Sequence, residues 1–104
     1  MEPRIKTKPA SKTNDKVKEP EQYRVILLND DYTTMEFVVA ILMEIFHKSI
    51  EDASKIMLDV HKKGKGIVGV YTFDIAATKT EQVHAVARAN DYPLKCVMEP
   101  AWAL

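Results

Sequence analysis

The strongest constraint on the fold of this chain is the run IVGVYTF at residues 67–73. Six of its seven residues are β-branched or aromatic, the types that pack best on a pleated sheet, so the run predicts a strand. YRVILL at residues 23–28 is shorter but similar in character, and it predicts a strand buried on both faces or nearly so. A third strand is expected at residues 94–98, with Leu94, Cys96 and Met98 on one side.

Amphipathic segments separate these predicted strands. A first helix is expected to begin at about Thr34, because Thr33 and Glu36 have the spacing of a capping box. The apolar side chains that follow recur at helical spacing and predict one stripe facing a core. They are Val38, Ile41, Leu42, Ile45 and Phe46.

Two further helices are predicted. One begins at Ser49 and ends at Lys62, Lys63 and Gly64, since a hydroxyl suits a helix start and glycine a left-handed end. Its stripe is Ala53, Ile56, Met57 and Val60, and His61 is expected to continue that stripe on the inward side. Thr78 and Glu81 repeat the capping-box spacing, so the last helix is expected to start near Thr78 and to stop before Pro93.

The predicted fold is therefore α+β, a small three-stranded antiparallel sheet packed against three helices in the order β-α-α-β-α-β. At 104 residues the chain has room for one core domain, expected at residues 23–104. Residues 1–22 hold three of the five prolines and few apolar side chains, so they are expected to form a disordered N-terminal tail.

Composition and motifs argue against several classes of function. Fifteen basic residues balance fifteen acidic ones, which argues against nucleic-acid binding. Cys96 is the only cysteine, which fits a reducing compartment, and the cytoplasm is the expected location. No stretch of the sequence is long and apolar enough to predict a membrane span. The chain also lacks the zinc, phosphate-loop and nucleophile-elbow motifs, so neither an enzyme nor a metal or other cofactor is expected.

The segment NDDYTTMEF at residues 29–37 has two interpretations. Asn29 and Asp30 are ordinary turn formers and could simply start a helix. Alternatively they form the polar lip of an apolar cavity, if His61 and the adaptable methionines Met35 and Met57 meet at the same mouth.

Four segments of the chain resemble the ClpS family, the adaptor of the Clp protease. They are VILLNDDYTTMEFVV at 25–39, MLDVH at 57–61, GIVGVYT at 66–72, and Lys79, within a resemblance that runs from about residue 23 to 98. The resemblance implies a monomeric receptor for N-degrons, proteins that begin with a free α-amino group and a bulky apolar residue (Leu, Phe, Tyr or Trp). It also implies delivery to the N-terminal domain of a Clp-type AAA+ unfoldase.

The same resemblance implies roles for individual residues. Asn29, Asp30 and His61 would hold the substrate's α-amino group, and Asp31 and Thr33 would shape the lip and contact the peptide backbone. The pocket for the first side chain would be lined by Leu27, Met35, Val38, Met57, Val60 and Leu94. Lys79 and Asp74 would face the unfoldase, which the tail would also engage. Thr34 stands where the family commonly has proline, so less preorganisation is expected at Met35.

Elementary chemistry favours the α-amino assignment independently. An ammonium group has donors only, so it is matched by an amide oxygen, a carboxylate and a neutral imidazole, which are acceptors.

The competing hypothesis is a protein–protein interaction domain that uses an outer helix face and does not recognise N-terminal residues.

Overall fold

The sheet is antiparallel, with its first strand in the centre, in the order β2-β1-β3. The structure is a computed structural model that describes residues 20–103. Its elements are β1 Gln22–Leu28, α1 Met35–Glu44, α2 Ile50–Lys63, β2 Lys65–Thr72, α3 Phe73–Ala89 and β3 Lys95–Pro100. The predicted α+β class and the order β-α-α-β-α-β are confirmed.

One core joins the inner face of the sheet to all three helices. Each strand contributes at least one buried side chain, and each helix contributes at least two. The buried members are Val25, Leu27, Val38, Ile41, Leu42, Phe46, Ala53, Val60, Val68, Ala76, Val83, Ala87, Leu94 and Cys96. Burial of this apolar surface is the main term that stabilises the domain.

The strand register decides where the chain leaves the sheet. Leu28, the last residue of β1, lies opposite Lys65 at the start of β2 and Lys95 at the start of β3. The next residue, Asn29, therefore leaves the sheet at the end where α2 terminates and where Leu94 precedes β3. The polar loop lies at this end of the sheet.

The helix α2 has the predicted ends. The Ser49 side chain accepts a hydrogen bond from the Asp52 amide and caps its start. Gly64 ends it in the left-handed conformation with φ of 90°, which glycine adopts without steric cost. Gly66 lets β2 approach α2 closely, because a Cβ there would lie 2.8 Å from the Val60 side chain.

The starts of α1 and α3 differ from the predictions. Thr34, not Thr33, is the N-cap of α1, because Thr33 is held by Asp30 while the Thr34 oxygen accepts the Phe37 amide. The helix α3 begins at Phe73 directly after β2, so the predicted start near Thr78 is wrong. Its early carboxylate is Asp74, and the spacing of Thr78 and Glu81 falls inside the helix without capping anything.

The ends of the strands also differ from the predictions. β2 starts two residues earlier than predicted and ends at Thr72, since Phe73 already belongs to α3. β3 runs to Pro100 because its pairing with β1 continues as far as Tyr23. At the other end Gln22 is the first residue of β1.

The predicted disordered tail falls mostly on residues 1–19, which lie outside the described residues. None of the helices within residues 20–103 has the length and apolar character needed to cross a membrane.

Candidate functional site

A cavity of about 480 Å³ opens at the end of β1, which we call the mouth cavity. Its walls are the loop between β1 and α1, the first residues of α1, and the last turn of α2. The lining residues are Asn29, Asp30, Asp31, Tyr32, Thr33, Thr34, Met35, Glu36 and His61. The polar lip predicted from the sequence and the predicted histidine thus share one opening.

Asn29 is fixed to the end of α2 by its backbone. Its N–H donates to the Gly64 carbonyl at 2.9 Å, directly after the last turn of α2. Because His61 lies in that turn, this bond holds the start of the polar loop beside the imidazole. Two residues far apart in sequence are therefore brought to one wall of the cavity.

Asp30 organises the loop through its carboxylate. Oδ1 accepts the backbone N–H groups of Tyr32 at 2.8 Å and Thr33 at 2.7 Å, and Oδ2 accepts the Thr33 hydroxyl at 2.7 Å. A carboxylate has about four acceptor positions, so roughly one remains for a ligand.

The same contacts keep Asp30 ionised. Burial alone would raise the pKa of this carboxyl, but the Thr33 and Tyr32 hydrogen bonds and the positive charge of Arg88 together lower it. A negative charge is therefore present at the mouth at neutral pH.

The other lip carboxylates are those of Asp31 and Glu36, and both side chains are exposed. Among residues 20–103, no lysine or arginine forms an ion pair with either of them or with Asp30. The mouth is therefore an acidic surface that attracts a positively charged group.

His61 is exposed, and the prediction that it faces inward is wrong. Its neighbour Val60 takes the inward position and is only 3% exposed, packed where Gly66 leaves room. Because one residue turns a helix by about 100°, His61 points out of the core and into the wall of the mouth cavity.

Met35 is the first residue of α1 and stands at the rim, 45% exposed. The Thr34 cap fixes the helix start immediately before it. Of the six residues predicted to line the pocket for the first side chain, Met35 is the one that lines the mouth cavity.

The other five predicted pocket residues do not line the cavity. They belong to the core cluster or pack against it, and four of them are almost closed to solvent. They are Leu27 (0% exposed), Val38 (5%), Val60 (3%) and Leu94 (1%), with Met57 half-buried. Chain connectivity still puts two of them next to the opening, since Leu27 precedes Asn29 by two positions and Val60 adjoins His61.

Lys79 and Asp74 lie on α3, away from the mouth cavity. They line a separate groove of about 290 Å³ together with Ile75, Thr78 and Gln82, which we call the α3 groove. The Lys79 ammonium donates to the Ile45 carbonyl at 2.7 Å and lies 5.6 Å from the centroid of the Phe46 ring. Lys79 thus caps the C-terminal end of α1, a contact that the sequence did not predict.

Three lining residues were missed by the sequence reasoning: Tyr32, Thr34 and Glu36. Each belongs to the segment singled out at residues 29–37, so its position in the loop was the available signal. Within residues 20–103 no group of three or more His, Cys, Asp or Glu side chains is arranged to hold a metal ion.

Comparison with known proteins gives one consistent family. The family model described as ATP-dependent Clp protease adaptor protein ClpS matches residues 18–97. An ATP-dependent Clp protease adapter protein ClpS from Syntrophus aciditrophicus is 66% identical over 85 residues, which cover 82% of this chain and 79% of the relative. One of the same description from Acetivibrio thermocellus is 58% identical over 95 residues, 91% of this chain and 96% of the relative.

The fold comparison agrees. The solved structure of Agrobacterium tumefaciens ClpS2 bound to L-phenylalaninamide superposes with a TM-score of 0.76 at 36% identity, covering 79% of this chain and 99% of that one. The family model spans most of the chain, and the two relatives match the chain over 79% and 96% of their own length. On this evidence the chain belongs to the ClpS family of ATP-dependent Clp protease adaptor proteins.

Proposed function

We propose that this chain binds proteins through a free α-amino group and a bulky apolar first side chain (Leu, Phe, Tyr or Trp), and delivers them to a Clp-type AAA+ unfoldase. It does so as a cytoplasmic monomer that binds and releases its cargo without catalysing a reaction. No cofactor takes part.

The observation that carries the proposal is the composition of the mouth cavity. The Asn29 amide, the ionised Asp30 carboxylate and the His61 imidazole line one opening. These groups supply acceptors for the three N–H donors of an ammonium. Asp30 already accepts three hydrogen bonds from its own loop, so its contact with the ammonium is a single bond or passes through one water molecule.

The apolar part of the proposed site is the part of the core next to this opening, and its side chains are almost closed to solvent. Leu27, Val38 and Leu94 are at most 5% exposed, so a first side chain must be admitted by movement at the rim. Met35 and Met57 are the two unbranched side chains there, one exposed and one half-buried, and thioethers adapt readily to a guest. The two methionines therefore form the movable wall of the pocket.

The energies are compatible with a carrier. Burying a Leu or Phe side chain contributes about 1.5–3 kcal/mol. Each hydrogen bond to the charged ammonium adds about 1.5–3 kcal/mol. Association costs several kcal/mol, so the balance corresponds to affinity on the order of micromolar, which allows release.

A related structure supports the choice of ligand. The Agrobacterium ClpS2 neighbour was solved bound to L-phenylalaninamide. That molecule carries a free α-amino group and an aromatic side chain, the two features that the mouth cavity and the core beneath it match in this chain.

For the unfoldase we propose the α3 groove as the docking surface. Asp74 and Ile75 are exposed there, one carboxylate beside one apolar side chain that is 47% exposed. The Lys79 ammonium already donates a hydrogen bond to the Ile45 carbonyl. Lys79 therefore contributes its positive charge and its shape to this surface, and fewer of its N–H groups remain for a partner. The groove and the mouth cavity share no lining residue, so cargo and unfoldase can be held at the same time.

Fluorescence anisotropy with three labelled peptides tests the first half of the proposal. One begins with free Phe, the second is its N-acetylated form, and the third begins with Val. Binding of the first alone supports an ammonium site with a shape-selective pocket. Equal binding of all three, or of none, overturns the proposal and favours an interaction domain that uses an outer helix face.

Delivery is tested by adding the isolated N-terminal domain of a Clp unfoldase to the adaptor loaded with the Phe peptide. A ternary complex that forms with the unaltered chain and is weakened by Asp74→Lys is the expected result. A complex unaffected by Asp74→Lys would remove the α3 groove from the proposal.

A further inference from the structure

A second cleft adjoins the mouth cavity. It is shallow and widely open to solvent, with a volume of about 530 Å³, and we call it the side cleft. Its walls are Tyr32, Arg88, Asp91, Tyr92 and Pro93, from the polar loop and from the turn between α3 and β3. Tyr32 lines both the side cleft and the mouth cavity, so the two openings share one wall.

We propose that the side cleft binds a second side chain of the same N-degron, an apolar or aromatic one at position 2 or 3 of the substrate. The inference rests on the proposed function, because it needs the first residue anchored in the mouth cavity. It makes Tyr32 a specificity-determining residue for the sequence that follows the first residue.

The reach of an extended peptide fits this arrangement. Each residue of an extended chain advances about 3.3–3.6 Å. A chain that is anchored in the mouth cavity and runs toward Tyr32 would therefore reach the far side of that ring within the next two residues. Its next side chains would then lie at the side cleft, because Tyr32 lines both openings.

The walls of the side cleft are preformed. Arg88 donates to the carbonyls of Tyr92 and Leu94, both at 2.9 Å, and thereby holds the turn. The Tyr92 ring packs on Phe37 with centroids 4.6 Å apart. A wall that is already ordered costs little entropy on binding.

The chemistry of the walls selects the side chain. Two tyrosine rings, a proline ring and the flat Arg88 guanidinium offer faces on which an aromatic or apolar group packs. Arg88 and Asp91 contribute one positive and one negative charge, so the walls have no net charge to attract an ion. Tyr32 is 75% exposed, and a side chain bound in the side cleft would cover part of its ring.

The test is a cycle of peptides and protein variants measured by fluorescence anisotropy. The peptides begin Phe-Ser-Ser, Phe-Trp-Ser and Phe-Ser-Trp and are otherwise identical. They are titrated with the unaltered chain, with Tyr32→Ala and with Tyr32→Phe. Trp102→Ala is the matched control, because Trp102 is another strongly exposed aromatic (70%) at the opposite end of the sheet.

The expected result is that one of the two Trp peptides binds about two- to tenfold more tightly than Phe-Ser-Ser. Tyr32→Ala should abolish this gain, whereas Tyr32→Phe and Trp102→Ala should keep it. No gain with either Trp peptide, or a gain that survives Tyr32→Ala, overturns the inference.

An N-acetylated Phe-Ser-Ser peptide separates this inference from the proposed function. If the free peptide binds, the acetylated one does not, and no Trp gain appears, the side cleft is excluded while the proposed function stands. If free Phe-Ser-Ser does not bind at all, the proposed function fails and the inference fails with it.

Discussion

The carboxylate of Asp30 accepts both the backbone N–H and the hydroxyl of Thr33, each at 2.7 Å. This pair fixes the loop that forms the lip of the mouth cavity. It also leaves Thr34 free to cap α1, so the position of Met35 depends on it. The shape of the mouth cavity therefore rests on one carboxylate and one threonine.

Thr33→Val should weaken binding of a free-Phe peptide by about three- to tenfold. The substitution keeps the shape of the side chain but removes the hydroxyl donor, and a hydrogen bond is worth about 0.5–1.5 kcal/mol net. It should also raise the pKa of Asp30, since that hydroxyl helps to lower it. Anisotropy and an NMR titration of the carboxyl measure the two effects. Thr78→Val, at an exposed site inside α3, is the control, and equal affinity for both variants would contradict the prediction.

Met35→Ala should relax the discrimination against β-branched first residues. A first residue such as Ile or Val carries a branch at Cβ, and we expect it to clash with Met35 at the rim, where Leu and Phe pass. Shortening the side chain should raise affinity for an Ile-starting peptide at least severalfold, measured by competition against labelled Phe peptide. Met43→Ala is the matched control, another partly exposed methionine on α1 that is outside the mouth cavity. Unchanged rejection of Ile by Met35→Ala would refute the gate.

The sequence predicted the elements well wherever a side chain's role is local. Ser49 and Gly64 bound α2 as expected because capping by a hydroxyl and a left-handed glycine need no tertiary partner. Thr33 and Thr78 show the limit. Both have the spacing of a capping box, but Asp30 holds one and the other lies within a helix that starts directly at the end of β2.

The site was predicted in part for a related reason. The polar loop and His61 could be placed at one mouth because a strand end and a helix end are recognisable in sequence. The outward orientation of His61 depends on how α2 packs against Gly66, which is a tertiary contact. The hydrogen bond from Lys79 to the Ile45 carbonyl likewise joins two residues that are 34 positions apart in sequence. Tyr32 was missed because the side cleft that it lines is formed mainly by residues distant in sequence: four of the five lining residues lie at positions 88–93.

Lys79→Ala should lower the free energy of unfolding by about 1–2 kcal/mol. The ammonium is a charged donor to the Ile45 carbonyl at the end of α1, where a cation is favourable. For a domain of this size the melting temperature should drop by roughly 4–12 °C. Lys79→Arg, which keeps a charged donor, should restore part of the loss, and Lys55→Ala at an exposed site on α2 should have little effect. Equal melting temperatures for Lys79→Ala and Lys55→Ala would contradict the prediction.

The thiol of Cys96 should be almost unreactive in the folded protein. Burial raises its pKa to about 11, although the hydrogen bond to Thr80 opposes this, so about one molecule in a thousand carries a thiolate at pH 8. Alkylation by iodoacetamide at pH 8 should therefore be at least about a hundredfold slower than in denaturant. Similar rates with and without denaturant, followed by mass spectrometry, would show that this part of β3 is open.

Stability should fall as the pH drops below about 6.5, because His84 must stay neutral in the fold. The Cys96 N–H donates to His84 Nε2 at 2.9 Å, which requires an unprotonated nitrogen and links α3 to β3. Burial lowers the pKa of His84, and the charges of Arg88 and Lys95 lower it further. Between the lowered value and 6.5 the unfolded chain binds more protons at this residue than the folded one, so the free energy of unfolding decreases with acid. His84→Gln can still accept from Cys96 but does not titrate, so urea unfolding from pH 7.5 to 5.5 should show a smaller pH dependence for this variant. Parallel curves for the two proteins would mean that His84 does not contribute to acid sensitivity.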